Sequence, residues 1–224
     1  MKKNNGIKAI IFDFDGTIID TETAWYKAFH AAYKKHEVDL PLEMYAGCIG
    51  TSLNKFNPYE YLITEMNLPI NPDQFRDTVH KHHSLLMEWE EMRPGVLHYL
   101  NCAEKFGLRI GLASSSRREW VEMHLKNLGI YEFFKVIRTA DDVKEVKPNP
   151  ELYLQTLSAL GVEAHEAVAI EDSPNGARAA EAAGIPCIVT PNPLTESLDF
   201  GRCLHRVSSL HELEFHRVIA GAAG

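Results

Sequence analysis

The sequence predicts an α/β fold, a doubly wound and mainly parallel sheet whose chain is interrupted after the first strand by an all-helical insert. Three observations carry this. Short runs of bulky and β-branched residues alternate with helical stretches of about 10–15 residues, the pattern of parallel strands joined by right-handed crossovers. One such run, residues 7–12, stands apart at the start of the chain. Between it and the alternating region, residues 21–88 show helical spacing and no strong strand signal.

Residues 7–12, with Ile7, Ile10, Ile11 and Phe12, read as a buried strand that stops at Asp13-Phe14-Asp15-Gly16-Thr17. In the insert, Trp25, Ala28, Phe29, Ala32 and Tyr33 recur at helical spacing. Residues 59–66 and 73–89 read as further helices, with Asn71-Pro72-Asp73 as a start signal. Alternation resumes after Arg93-Pro94-Gly95. A helix through Val96, Leu100, Ala103 and Phe106 ends at Gly107, a residue suited to a C-terminal stop. Residues 108–113 form the next strand and run into Ser114-Ser115-Ser116. A helix over 118–128 and a short strand at 136–138 follow. Asn149-Pro150 reads as a cap with proline at the first helical position, opening a helix that ends at Gly161. Residues 167–170 are a strand leading into Glu171-Asp172. Ser173-Pro174 opens a helix by the same chemistry, and residues 186–189 are the last strand. The expected division is an α/β core of residues 1–20 and 89–224 around a helical domain of residues 21–88.

A chain of 224 residues can bury a substantial core without covalent staples. Its net charge of -8 argues against a general nucleic-acid binder, which needs a basic face, but not against a small anionic ligand held by a lysine and a metal ion. Cys48, Cys102, Cys187 and Cys203 form no C-x-x-C pair and read as thiols in a reducing compartment. The apolar start of the chain is too short and too charged for a signal peptide or a membrane span, so a cytoplasmic location without membrane association is expected.

Chemistry-bearing residues share one structural address. Asp13 and Asp15 follow the first strand, Ser114 follows the second, Asp172 follows the strand at 167–170, and Lys147 precedes a helix. In an open parallel sheet, ligands bind outside the carboxyl ends of the strands, so these distant residues converge. Asp13, Asp15, Glu171 and Asp172 together repel one another unless a cation or a proton neutralises them. An all-oxygen donor set favours Mg²⁺. Lysine and hydroxyl groups, with helix N-termini expected at Ser114 and Ser173, would complete an anion cradle.

These motifs resemble those of the haloacid dehalogenase (HAD) superfamily of phosphohydrolases. Asp13-Phe14-Asp15-Gly16-Thr17 is similar to its first motif, Ser114 to its second, Lys147 to its third, and Glu171-Asp172-Ser173 with Gly176 to its fourth, in the same order. The helical insert resembles the cap of the branch containing β-phosphoglucomutases and phosphoglycolate phosphatases, set on a Rossmann-like sheet. The resemblance implies that Asp13 is a covalent nucleophile and that Asp15 acts as general acid and then base. It implies that Thr17 positions Asp15 and that Ser114 and Lys147 hold the phosphoryl group. It implies Mg²⁺ bound by Asp13, the Asp15 carbonyl and Asp172, with Glu171 as a ligand or in support. Dehalogenase members lack the second acid of the first motif, so Asp15 favours phosphate chemistry.

The expected substrate is a small phosphorylated metabolite. Ser115, Thr51 and Trp25 are candidate substrate contacts, with Asn54 and Lys55 beside Thr51 in a recognition loop. Trp25 stands where β-phosphoglucomutases carry a cap histidine, and residues 47–52 contain no arginine; both favour a phosphatase over a sugar phosphomutase. A catalytically silent binding module is the remaining alternative. His80, His82 and His83 lack the i, i+4 spacing of paired ligands and read as a solvated face. Trp25, Trp89 and Trp120 read first as packing residues.

Overall fold

The structure is a computed structural model that describes residues 6–51, 53 and 56–221. Among the described residues, six strands form one parallel sheet: β1 (Ala9–Phe12), β2 (Arg109–Ala113), β3 (Val136–Arg138), β4 (Ala167–Glu171), β5 (Cys187–Val189) and β6 (His205–Arg206), in the spatial order β3-β2-β1-β4-β5-β6. The helices are α1 (Thr21–Lys34), α2 (Leu42–Tyr45), α3 (Tyr61–Thr64), α4 (Pro72–Met87), α5 (Val96–Lys105), α6 (Arg118–Asn127), α7 (Glu151–Leu160), α8 (Pro174–Ala182) and α9 (Phe215–Gly221). The α/β architecture expected from the sequence is therefore present. The first strand begins two residues later than its apolar run, and β6 was not foreseen.

Alternation along the strands explains the layering. Ile10 and Phe12 of β1, Ile110 and Leu112 of β2, and Val168 and Ile170 of β4 point to one face, where they pack with Val96, Leu100, Val121 and Leu125 of α5 and α6. Ala9 and Ile11, Ala167 and Ala169, and Cys187 and Val189 point to the other face, against Leu152, Tyr153 and Leu157 of α7 and Ala177 and Ala180 of α8. Full burial of a Phe12-sized side chain contributes about 1.5–3 kcal/mol.

Strand β1 lies between β2 and β4, with Ile10 opposite both Ile110 and Val168. The chain winds outward to β3 on one side and to β6 on the other. The end of β1 is thus the point where the winding reverses, and the crevice opens there.

The helices α1–α4 build their own apolar cluster, in which Ala28, Phe29, Ala32 and Tyr33 of α1 meet Phe75 and Val79 of α4. Helix α1 is capped by Asp20, which accepts from Thr23 N at 3.0 Å, and α4 starts as its sequence suggests, with Asn71 as cap ahead of Pro72. The two crossings between insert and sheet run side by side, with Ile19 bridged to Met92 and Arg93 N donating to Ile18 O at 2.8 Å. One start differs from expectation. Helix α7 begins at Glu151, one residue after Pro150, and Asn149 Oδ1 accepts from Glu151 N at 3.0 Å.

Candidate active site

Asp13 leaves the end of β1 with its backbone N–H bonded to Ile170 O of β4 at 2.9 Å, which fixes the side chain over the crevice. Lys147, only 1% exposed, donates from Nζ to Asp13 Oδ1 at 2.5 Å and to Glu171 Oε1 at 2.7 Å. The same Glu171 oxygen accepts from Tyr153 OH of α7 at 2.6 Å, and the lysine nitrogen lies 5.1 Å from the Tyr153 ring centre. A buried ammonium is costly without partners. Burial works against its charge here, but Asp13 and Glu171 outweigh it and hold the Lys147 pKa above the ordinary lysine value.

Asp172 at the end of β4 is buried, and its Oδ2 accepts from Asn192 Nδ2 at 2.8 Å. Asp13, Glu171 and Asp172 offer oxygens that all lie within 4.8 Å of one another. Burial, then the Glu171 charge, pushes the Asp13 carboxyl up to about 7, and burial with the charge of Asp13 drives Asp172 well above its usual range. Asp13 Oδ2 is buried with no hydrogen-bond partner. With all three carboxylates ionised, one ammonium would leave two negative charges uncompensated. A hard divalent cation fits this donor set and would satisfy the orphaned oxygen. Arg93 does not fill that role, because its guanidinium donates to the carbonyls of Gly16, Thr190 and Pro191 and so ties the loop after β1 to the loop after β5.

Two glycines make room for the carboxylates. A Cβ on Gly16, whose φ is +80°, would lie 2.0 Å from Asp172 Oδ2, and a Cβ on Gly176 would lie 2.0 Å from the Glu171 carboxylate. Gly176→Ala is expected to lose about 1–3 kcal/mol of stability through overpacking. It should also impair any activity that depends on Lys147, because the displaced Glu171 is its anchor. Thermal melting and turnover of the purified variant check both.

The raised carboxyl pKa values set a pH dependence. A carboxyl that holds its proton more tightly when folded stabilises the fold at low pH. That contribution fades as pH climbs from the unfolded pKa near 4 through the folded one. Asp13 at about 7, Asp172 and Glu22, pushed up to about 8 by burial and then by Asp15, all act in this direction. Metal-free protein is therefore expected to melt at a lower temperature at pH 8 than at pH 5.5. Added Mg²⁺ should raise the melting temperature more at pH 8, and melting curves at the two pH values with and without the ion test this.

Asp15 occupies a second pocket of donors. Its Oδ1 accepts from Thr21 Oγ1 at 2.8 Å and from Trp120 Nε1 at 2.9 Å; its Oδ2 accepts from Ser116 Oγ at 2.6 Å and from Ser114 Oγ at 3.4 Å. Thr17, expected to position Asp15, does not bond to it: its hydroxyl is buried without a partner, and Thr21, one helical turn further on, takes that place. Ser114 is not at a helix N-terminus, since α6 starts at Arg118; its hydroxyl instead accepts from Ser116 N at 3.0 Å. Ser173 is an N-cap as expected, accepting from Gly176 N at 3.1 Å.

The helical insert closes against this region through the loop around Gly50. Thr51 Oγ1 donates to Lys147 O at 2.6 Å, Ser115 Oγ to Gly50 O at 3.3 Å, and Asn175 Nδ2 to Ile49 O at 2.8 Å, while Gly50 N donates to Glu22 Oε1 at 3.3 Å. Asn54 and Lys55 lie outside the described residues. Trp25 stacks on His83 with ring centres 3.5 Å apart and planes 11° from parallel. His83 is 3% exposed, so the solvated-face reading is wrong for it. A histidine stacked on a tryptophan is buried by its neighbours, and periodicity within α4 does not reveal that. Trp89, read as a packing residue, is 85% exposed. The structure thus brings Asp13, Lys147, Glu171 and Asp172 together and sets Asp15 and Ser114 in the adjoining cluster. Sequence reasoning missed Thr21, Ser116, Trp120, Tyr153, Asn192 and Arg93.

A strand-end acid joined to a buried lysine and two further acids from the neighbouring strand defines a class. The family model described as haloacid dehalogenase-like hydrolase matches residues 10–190, and the chain belongs to that family. It is 47% identical, over 93% of its own length and 94% of the relative's, to a Bacillus subtilis protein named "Putative phosphatase YhcW". It is 30% identical to hexitol phosphatase B of Escherichia coli, covering 84% of this chain and 85% of that one. Among solved structures it is similar to CbbY of Rhodobacter sphaeroides in complex with xylulose-(1,5)bisphosphate, at a TM-score of 0.74 and 30% identity over 92% of this chain and 96% of that one.

Proposed function

We propose that the chain is a Mg²⁺-dependent HAD-type phosphatase that removes phosphate from a small phosphorylated metabolite of sugar type through an aspartyl-phosphate on Asp13. The observation that carries this reading is the state of Asp13. One of its oxygens is held by Lys147 and the other is buried without a partner, beside Asp172. The sugar-type substrate is supported by the relative named hexitol phosphatase B and by the structure of CbbY in complex with xylulose-(1,5)bisphosphate.

In this reading an oxygen of Asp13 attacks phosphorus and the ester P–O bond breaks. Asp15 gives its proton to the departing alkoxide, and the free alcohol leaves. Asp15, now a carboxylate, takes a proton from water as the water oxygen attacks phosphorus. The P–O bond to Asp13 breaks and inorganic phosphate is released. Lys147 and Ser114 hold the phosphoryl oxygens, and Glu171 with Tyr153 keeps the lysine in place. Asp13, Asp172 and the Asp15 carbonyl, with Glu171 beside them, would hold Mg²⁺, which when bound offsets the charge of the two approaching anions. Residues 21–88 act as the cap. Thr51 and Ser115 fasten the cap loop to the core, and Trp25 is our candidate for contacting the organic part of the substrate. No helix among the described residues is long and apolar enough to cross a membrane.

The test is hydrolysis of p-nitrophenyl phosphate and of a panel of sugar and polyol phosphates, with Mg²⁺ and with EDTA. Metal-dependent phosphate release is expected. Its absence from folded protein overturns the reading, and conversion of β-glucose 1-phosphate to glucose 6-phosphate without phosphate release would favour a mutase.

A further inference from the structure

Trp120 belongs to the first turn of α6 and has no place in the motifs described above. Its indole Nε1 is 2.9 Å from Asp15 Oδ1. The ring is itself held in place. His124, one turn along α6, packs edge-on at 4.2 Å between centres and 66° between planes, and His83 of α4 reaches it from the insert at 5.7 Å. His83 is in turn stacked on Trp25, and His124 lies 6.1 Å from Phe14. The Nε2 atoms of His83 and His124 are buried with no hydrogen-bond partner, so this surround packs the indole without competing for its N–H.

We infer that Trp120 is a positioning residue for Asp15, fixing which oxygen of that carboxyl group takes part in proton transfer. This rests on the proposed acid/base role of Asp15. The other donors to Asp15 are hydroxyls of Thr21, Ser114 and Ser116, which rotate and can accept as well as donate. An indole N–H only donates, and this one is set by ring packing. A proton on Oδ1 would oppose the fixed indole N–H, whereas a proton on Oδ2 faces only hydroxyls that can turn to accept it. The transferable proton therefore belongs on Oδ2, on the side of Ser114 and Ser116. Without the indole the carboxyl group can turn, and protonated and reacting orientations cease to coincide.

The test separates positioning from packing. Trp120→Phe keeps a ring in the stack and removes the N–H. General acid help matters for an alkyl phosphate, whose leaving oxygen needs a proton, and little for p-nitrophenyl phosphate, whose phenolate departs without one. For kcat/KM, which reports the step that expels the leaving group, a loss of about ten- to a hundredfold is expected on a polyol phosphate, a part of the usual acid/base contribution. A loss of about threefold or less is expected on p-nitrophenyl phosphate, with KM for the polyol phosphate little changed. Equal losses on both substrates, or none on either, overturn the inference while leaving the phosphatase reading intact. If the wild-type chain hydrolyses neither, both fall together. A measurement independent of turnover is the indole N–H resonance of Trp120 in the full ¹⁵N-labelled protein, identified by eliminating Trp25 and Trp89 through their phenylalanine variants. It should shift when Asp15→Asn is introduced, and an unmoved resonance contradicts the contact whether or not Trp120→Phe folds.

Discussion

Asp13→Asn is expected to yield a folded protein without turnover. The amide matches the carboxyl in shape, and its oxygen can still accept from Lys147, which lies 2.5 Å from Asp13 Oδ1. What disappears is the oxygen proposed as nucleophile and one of three mutually repelling carboxylates. Burial and the Glu171 charge already push this carboxyl up to about 7, so the fold bears a cost for its ionised form. The metal-free variant should therefore melt within a few degrees of the parent at pH 8, a shift of about 1 kcal/mol or less. Its kcat should fall by at least about a thousandfold, the scale of losing a covalent nucleophile. Its response to Mg²⁺ in melting experiments should shrink. Steady-state kinetics and paired melts measure these effects, and collapse of the fold would show that Asp13 is needed structurally.

Lys147→Met is expected to do the opposite to stability. The methionine fills much of the same volume but leaves Asp13 and the fully buried Glu171 without their cation. Removing one partner of a buried charge cluster costs about 3–5 kcal/mol. The deficit should be largest at pH 8 without metal and smaller at pH 5.5, where a proton on Asp13, whose carboxyl is pushed up to about 7, offsets part of the missing charge. Turnover should be lost at both pH values. Arginine is not expected to rescue it, because the planar guanidinium cannot occupy the compact position between Asp13 Oδ1 and Glu171 Oε1. Chemical denaturation at the two pH values decides the stability claim, and an equal deficit at both would contradict it.

The central strands were legible because their burial on both faces leaves runs such as Ile10-Ile11-Phe12 and Ala167-Val168-Ala169-Ile170. Asp13 and Asp172 were legible because they end those runs. Strand β6 was not, since His205 and Arg206 form a two-residue edge whose pairing with Ile188 and Val189 is set by the sheet already in place. Thr17 was expected to position Asp15 only through its place in the first motif. The start of α1 turns the Thr21 hydroxyl toward the carboxylate and leaves that of Thr17 alone. Arg93 reads locally as part of a Pro-Gly turn, yet it joins carbonyls at Gly16, Thr190 and Pro191. Trp120 reads as one apolar residue on α6, and its partner lies 105 positions away. Such contacts follow from the convergence of loops at the carboxyl ends of the strands, and no local period encodes them.

The central claim is that phosphorus is bonded to Asp13 during turnover. Acid-quenching the enzyme with substrate, reducing with borohydride and sequencing the peptides by mass spectrometry tests it most directly, since an acyl phosphate is reduced to the alcohol. Homoserine at position 13, dependent on both substrate and Mg²⁺, is the expected result. Robust turnover with an unmodified Asp13, or with the reduced residue at another carboxylate, would contradict it.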